Sequence, residues 1–383
     1  MSPPEPRSPL RNRPFVALLG ASVGLFFGFS LLVSVVPLWV VAQGDGEFIA
    51  GAATGVFMAS TVGAQFLMAG LVRRFGYRAM SVVGAVLIGL PAAFMPAAIE
   101  WQPVLGIALV RGLGFGIVTV CGSALIAELL PAGSLGRGSG LYGLAVGTPL
   151  LIGLPASSWA AQNLGFTPVF LAGAVLPLLA IVPILALPKV ESGVSDRDRG
   201  ARAAAAGVWR PWLVMFSGSI AFGAMVTFLP LVFLDSPAAA AASLLLMSGT
   251  ALGGRWLAGL WGDRSALHGR LLLLGLVGTA VGLLGFAVGA AFDGGAALVL
   301  GIICVAVYGA GFGAVQNDSL VVMFTRVSAA RASVAWNVAF DAGQGAGAVV
   351  VGAVVSGTSY AVAFGCLAVF AVVLIPMAAR SHR

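Results

Sequence analysis

Four ionisable side chains stand inside stretches that are otherwise apolar: Arg111, Arg255, Asp318 and Asp341. A charge in hydrocarbon is expensive and marks a pairing, a proton site or a solute path. Asp341 lies about ten residues, roughly 15 Å, along its apolar helix, near the middle of a membrane. A carboxylate there is either paired or protonated, and both states suit proton coupling. Asp318 and Arg255 lie nearer one end of theirs, and a fixed ion pair of Arg255 with Asp318 or Asp341 is the structural alternative. Arg111, Arg255, Asp318 and Asp341 are the candidate proton-coupling residues. Asn337, Asp341 and Gln344 follow 3–4 spacing and share one helix face, with Trp336 and Phe340 on an adjoining one. Glu128, at a helix end, reads as a capping or snorkelling residue.

Other chemistries are poorly supplied. His268 and His382 fall in polar connections, and Cys121, Cys304 and Cys366 fall in apolar runs without the spacing of a metal site or disulfide framework. No nucleophile or paired-carboxylate cluster points to an enzyme. No G-x-x-x-x-G-K-[ST] loop points to ATP, so an ion gradient must drive any uphill work. No cofactor and no metal are expected.

The elements that position these residues are membrane spans. The 383-residue chain is 60% hydrophobic and 9% charged, against about 25% charged for a soluble domain. Runs of about 20 apolar residues cross a bilayer. Twelve are present, over about 15–42, 49–72, 79–99, 102–130, 138–162, 166–187, 211–235, 238–262, 270–291, 296–324, 332–356 and 358–379. The fold class is therefore all-α integral membrane, twelve helices in two pseudo-symmetric six-helix bundles. The bundles are 1–187 and 211–383, joined by a polar linker over 188–210. The halves repeat: Gly63 to Arg74 resembles Gly253 to Arg264, Arg111 to Gly116 resembles Tyr308 to Gly313, and Ser34 to Leu38 resembles Thr227 to Leu231. Duplicated bundles around a midplane site are a usual build of secondary transporters.

Charge sets the orientation. The N-terminus, alternate connections and the tail hold 18 of the 20 basic residues, including Arg11, Arg13, Arg73, Arg74, Arg78, Arg137, Lys189, Arg210, Arg326, Arg331 and Arg380. The opposite connections hold Asp45, Glu47, Glu100, Asp235 and Asp293 and no base. Both termini are then cytoplasmic. The net charge of +7 reflects topology and attraction to an anionic inner leaflet, not nucleic-acid binding. The basic N-terminus precedes an apolar run too long for a signal peptide and reads as an uncleaved first span. The compositional bias is that of a bacterial chain, which places it in the inner membrane.

On these residues the whole chain resembles the major facilitator superfamily. The loop Ala69-Gly-Leu71-Val-Arg73-Arg74-Phe-Gly76-Tyr-Arg78 is similar to the family's loop between helices 2 and 3, with Arg73 where the family has Asp. That Asp helps latch one side closed in the family, so the substitution changes the latch. Gly259 to Arg264 forms a second copy and keeps Asp263 and Arg264. Arg111-Gly-Leu-Gly-Phe-Gly116 looks like the arginine motif of the family's drug:proton antiporters. Gly143 to Gly153, with Gly147 and Pro149, is similar to their antiporter motif but carries one extra residue. The resemblance implies gating roles for Arg73, Arg74, Gly76, Arg78, Asp263, Arg264, Gly147 and Pro149. It also implies a cavity lined by helices 1, 4, 7 and 10. The implied substrate-binding residues are Phe27, Ser30, Ser34, Arg111, Phe115, Thr119, Phe222, Thr227, Tyr308 and Gln316, with Phe26, Met225 and Phe312 beside them. Asn337 joins them from helix 11. So apolar a set favours an amphipathic solute over a richly hydroxylated sugar.

The expected function is export of small amphipathic organic molecules by proton antiport through alternating access, in a monomer. The alternative is a proton-coupled symporter or facilitator importing a metabolite. A membrane enzyme or non-transporting scaffold is the third reading, disfavoured by the missing catalytic cluster and the retained intramembrane charges. The implied partners are a small-molecule substrate, protons and the lipid bilayer.

Overall fold

The computed structural model describes residues 9–131, 135–189, 201–265, 269–292, 294–327 and 329–380. Side chains are described for these residues except 69, 127, 135–137, 139, 201–207, 262–265 and 329–330. Arg7, Asp293, His268 and His382 therefore lie outside the described residues, as do the side chains of Arg137, Asp263 and Arg264.

Among the described residues, twelve helices are long and apolar enough to span a membrane. They are α1 (Arg13–Ala42), α2 and α3 (one assigned helix, Glu47–Ala92, broken at Gly76), α4 (Trp101–Leu129), α5 (Leu135–Leu164), α6 (Phe166–Leu185), α7 (Ala201–Val232), α8 (Pro237–Ser265), α9 (Arg270–Gly289), α10 (Gly295–Phe324), α11 (Ala329–Val355) and α12 (Tyr360–Ala379). The described elements contain no strand. Large apolar side chains on the outer faces, such as Phe66 at 69% exposure and Val182 at 70%, are those of a protein whose solvent is lipid.

Local chemistry explains the interruptions. Gly76 has φ 76° and ψ 161°, a backbone region open to glycine and strained for other residues. It separates α2 from α3 in the Arg73–Arg78 loop. Three spans break where proline removes a donor. Pro37 has no N–H for the Val33 carbonyl in α1, Pro183 none for Leu179 in α6, and Pro376 none for Val372 in α12. The first helix is capped by Asn12, whose side chain accepts from the Phe15 N–H at 3.2 Å and donates to the Leu129 carbonyl at 2.8 Å. That residue ties the start of α1 to the end of α4. Helix α7 starts at Ala201, ahead of the expected start at 211; the Ala203–Ala206 run has the strongest intrinsic helix preference.

Two compact units emerge. One comprises Met1–Val35 and Ala59–Asp196, the other Val36–Met58 and Arg197–Arg383. In the first, α1, α4, α5 and α6 pack around Phe15, Phe29, Phe115 and Phe170, all buried. In the second, the early part of α2 lies against α11. There a Cβ on Gly345 would stand 2.6 Å from the Met58 Cβ, so glycine lets the two backbones meet. Beside it the Thr54 and Thr227 hydroxyls hydrogen-bond at 3.2 Å.

Candidate functional site

The sequence-selected residues form two clusters, one in each unit. In the first, Arg111 is 3% exposed on α4. Its Nε donates to the Ile88 carbonyl at 3.0 Å and an Nη donates to the Gly28 carbonyl at 2.7 Å. The guanidinium thereby ties α4 to α3 and to α1, which fits its planar fork of donors. One turn on, the Phe115 ring stacks on Phe29 with centroids 4.3 Å apart and meets Phe26 edge-on at 5.3 Å. Thr119 accepts from Gln65 at 3.5 Å and donates to the Gly116 carbonyl at 3.1 Å. Ser30 donates to the Phe27 carbonyl at 3.4 Å and lies against Gly153 of α5. The Ser34 hydroxyl is buried with no protein partner. In α5, Gly147 is half-buried and Pro149 buried within a continuous helix.

In the second unit the aromatics build a stack. Trp336 and Phe340 of α11 lie 5.6 Å apart at an interplanar angle of 14°. Phe340 and Phe312 are 6.2 Å apart at 18°, and Phe312 and Tyr308 are 5.8 Å apart at 14°. Phe222 of α7 leans on Phe312 and Phe340 at 5.4 and 5.6 Å. Each such pair contributes about 0.5–1.5 kcal/mol beyond burial. Hydrogen bonds hold both ends. The Tyr308 hydroxyl donates to the Gly218 carbonyl at 2.9 Å, and the Trp336 indole donates to the Gln316 carbonyl at 3.0 Å and the Ser319 hydroxyl at 3.1 Å. Arg255 sits 5.5 Å over the Trp336 ring and donates to the Gln316 side chain at 3.5 Å, a cation–π arrangement.

The acidic residues have different surroundings. Asp341 is 5% exposed on α11, one turn beyond Asn337 and one before Gln344. The Asn337 amide donates to the Ser333 carbonyl at 2.9 Å. Gln344 is fully buried with neither amide atom bonded to protein. Asp318 is also fully buried, and one of its oxygens accepts from the Gly269 N–H at 2.7 Å and the Leu272 N–H at 2.6 Å. That is carboxylate capping of the α9 N-terminus, favoured by the orphan donors and by the helix dipole. For Asp318, expected among the coupling residues, the geometry describes a positioning role.

The expected cavity residues divide similarly. Ser30, Ser34, Phe115, Phe222, Thr227 and Tyr308 are buried, as are Phe26, Met225 and Phe312. Phe27, Thr119, Gln316 and Asn337 remain half-buried. Arg73 and Arg74 are exposed, and Arg78 donates to the Leu187 carbonyl at 3.5 Å. Sequence reasoning left Trp336 and Phe340 off the site, although Trp336/Phe340 and Tyr308/Phe312 are both i, i+4 aromatic pairs, the spacing that stacks rings on one helix face. It also left out Thr54, for which no local signal exists, because its partner Thr227 is 173 residues away.

Comparison with known proteins completes the picture. No curated protein sequence matches this chain. Among the solved structures that share its fold are three transporters. A nucleoside transporter, NupG, is 18% identical with a TM-score of 0.68, covering 97% of this chain and 99% of its own. A bacterial homolog to the human lysosomal transporter Spinster, inward-facing and unoccupied, is 14% identical at 0.70, covering 98% and 96%. A D-xylose–proton symporter is 17% identical at 0.75, covering 94% and 96%. The family model described as Major Facilitator Superfamily matches residues 18–348, and with twelve membrane-length helices in that fold, the chain belongs to this superfamily of membrane transporters.

Proposed function

We propose that this transporter exports small amphipathic organic molecules in exchange for protons, by alternating access. The observation that carries the reading is the buried Asp341 carboxylate, which directly follows Phe340 of the Trp336–Phe340 stack on the same helix. Protonating Asp341 neutralises a buried charge and so changes the free energy of whichever conformation buries it. A proton biases transport only through such a difference between states. The aromatic stack supplies flat apolar faces, and Gln316, Asn337 and Arg255 supply polar groups at its edge, a combination suited to an amphipathic solute. Arg111 and Asp318 position helices through their backbone bonds. Arg73, Arg74, Gly76 and Arg78, with Asp263 and Arg264 at the end of α8, belong to the segments that shift between states, and Gly147 and Pro149 let α5 bend. The basic residues of alternate connections support a bacterial inner-membrane location with both termini cytoplasmic, and we take the working form as a monomer.

The test is reconstitution in liposomes loaded with a pH-sensitive dye, challenged with lipophilic cations, neutral antibiotics, organic acids and sugars. Solute-dependent proton movement opposite in sense to the solute is expected, and Asp341→Asn removes it while leaving expression intact. Movement in the same sense would replace export with proton-coupled import. Proton pumping by the Asn variant at the wild-type rate would remove Asp341 from the mechanism.

A further inference from the structure

The loop between α2 and α3 borders an open cavity of 920 Å³, within the size range of small-ligand sites. Four of its lining side chains are cationic, Arg73, Arg74, Arg78 and Lys189, and none is acidic. The rest of the lining is largely apolar, and it includes Phe75 and Leu185, 52% and 50% exposed. The two chemistries meet in one place: the Arg74 guanidinium lies 5.2 Å from the Phe75 ring centre. Arg78 holds the shape by its bond to the Leu187 carbonyl, which pins the start of α3 to the segment after α6. Gly76 sets the turn that presents Arg73 and Arg74 outward.

A solvated cluster of like charges repels itself, and here no acidic side chain of the lining offsets it. Guanidinium groups pair with phosphate through parallel N–H bonds. We propose that this cavity binds the phosphate headgroup of an anionic membrane lipid, with Arg73 and Arg74 on the phosphate and the acyl chains along Phe75 and Leu185. The exposed apolar wall favours a lipid over a soluble phosphate, which would leave that wall in water. The orientation proposed above would turn this face to the inner leaflet, but the binding test does not depend on orientation or transport.

The experiment releases the full-length protein from nanodiscs of mixed phosphatidylcholine and phosphatidylglycerol and counts retained lipids by native mass spectrometry. Wild type retains phosphatidylglycerol in preference to phosphatidylcholine. Removing two bases, Arg73→Gln with Arg74→Gln, weakens that retention about 25-fold, about fivefold per base near an anionic surface. The pair Arg73→Lys with Arg74→Lys keeps the charges and most of the retention, which separates loss of charge from misfolding. Arg11→Gln with Arg13→Gln removes equal charge elsewhere and leaves retention unchanged. Equal phosphatidylglycerol retention by wild type and the Gln pair would overturn the site. Displacement of the lipid by millimolar glycerol 3-phosphate, with direct binding of that phosphate to detergent-solubilised protein, would overturn the lipid assignment in favour of a soluble phosphate.

Discussion

Asp318 separates two roles that a buried carboxylate can play, and its replacement reads the difference. Its oxygen accepts from two backbone N–H groups at 2.6 and 2.7 Å, at the start of α9. Hydrogen bonds to a charged group contribute about 1.5–3 kcal/mol each, and the helix dipole adds about 0.3–2 kcal/mol. Asp318→Ala strands both donors, so we expect a loss of about 4 kcal/mol. Asp318→Asn keeps an acceptor oxygen in the same place and gives up the charge, for about 1.5 kcal/mol. With about 2–4 °C per kcal/mol for a domain of this size, the Ala variant melts about 8–16 °C lower and the Asn variant about 3–6 °C lower. Tryptophan emission during a thermal scan in detergent follows the change, because Trp336 is bonded to the Gln316 carbonyl two residues from Asp318. Proton movement by the Asn variant in liposomes is expected to persist. An unchanged melt for both variants would refute the capping account. An unchanged melt with abolished proton movement in Asp318→Asn would return the residue to coupling.

Arg111→Lys replaces a fork that reaches two helices with an ammonium that serves one carbonyl well. We expect a loss of about 2 kcal/mol, read as a lower melting temperature. Tyr308→Phe keeps the ring stack and removes only the bond to the Gly218 carbonyl, for about 1 kcal/mol in the same assay. Gly345→Leu places a side chain where a Cβ alone already approaches the Met58 Cβ to 2.6 Å. It must push α2 away from α11, so oxidative cross-linking of a Thr54→Cys/Thr227→Cys pair, whose native hydroxyls lie 3.2 Å apart beside it, falls in that background. An undiminished yield would mean that the helices do not depend on this close approach.

The sequence by itself determined the class of this protein. Apolar length dictates spanning helices because lipid offers no hydrogen bonds to an irregular backbone, and twelve runs appear as twelve helices. The glycine in the Arg73–Arg78 loop announces a turn through local geometry alone. The buried polar positions were also legible, since Arg111, Asp318 and Asp341 are exceptions within apolar runs. Their partners were not. Arg111 bonds carbonyls on α1 and α3, and every residue has a carbonyl, so no side-chain pattern marks Gly28 or Ile88. Asp318 meets the backbone of a helix start 46 residues earlier. The aromatic stack joins three helices, and only its i, i+4 pairs lie within the reach of local spacing. Which polar group is a tie and which is a cap follows from packing between distant segments, and only the tertiary structure decided it.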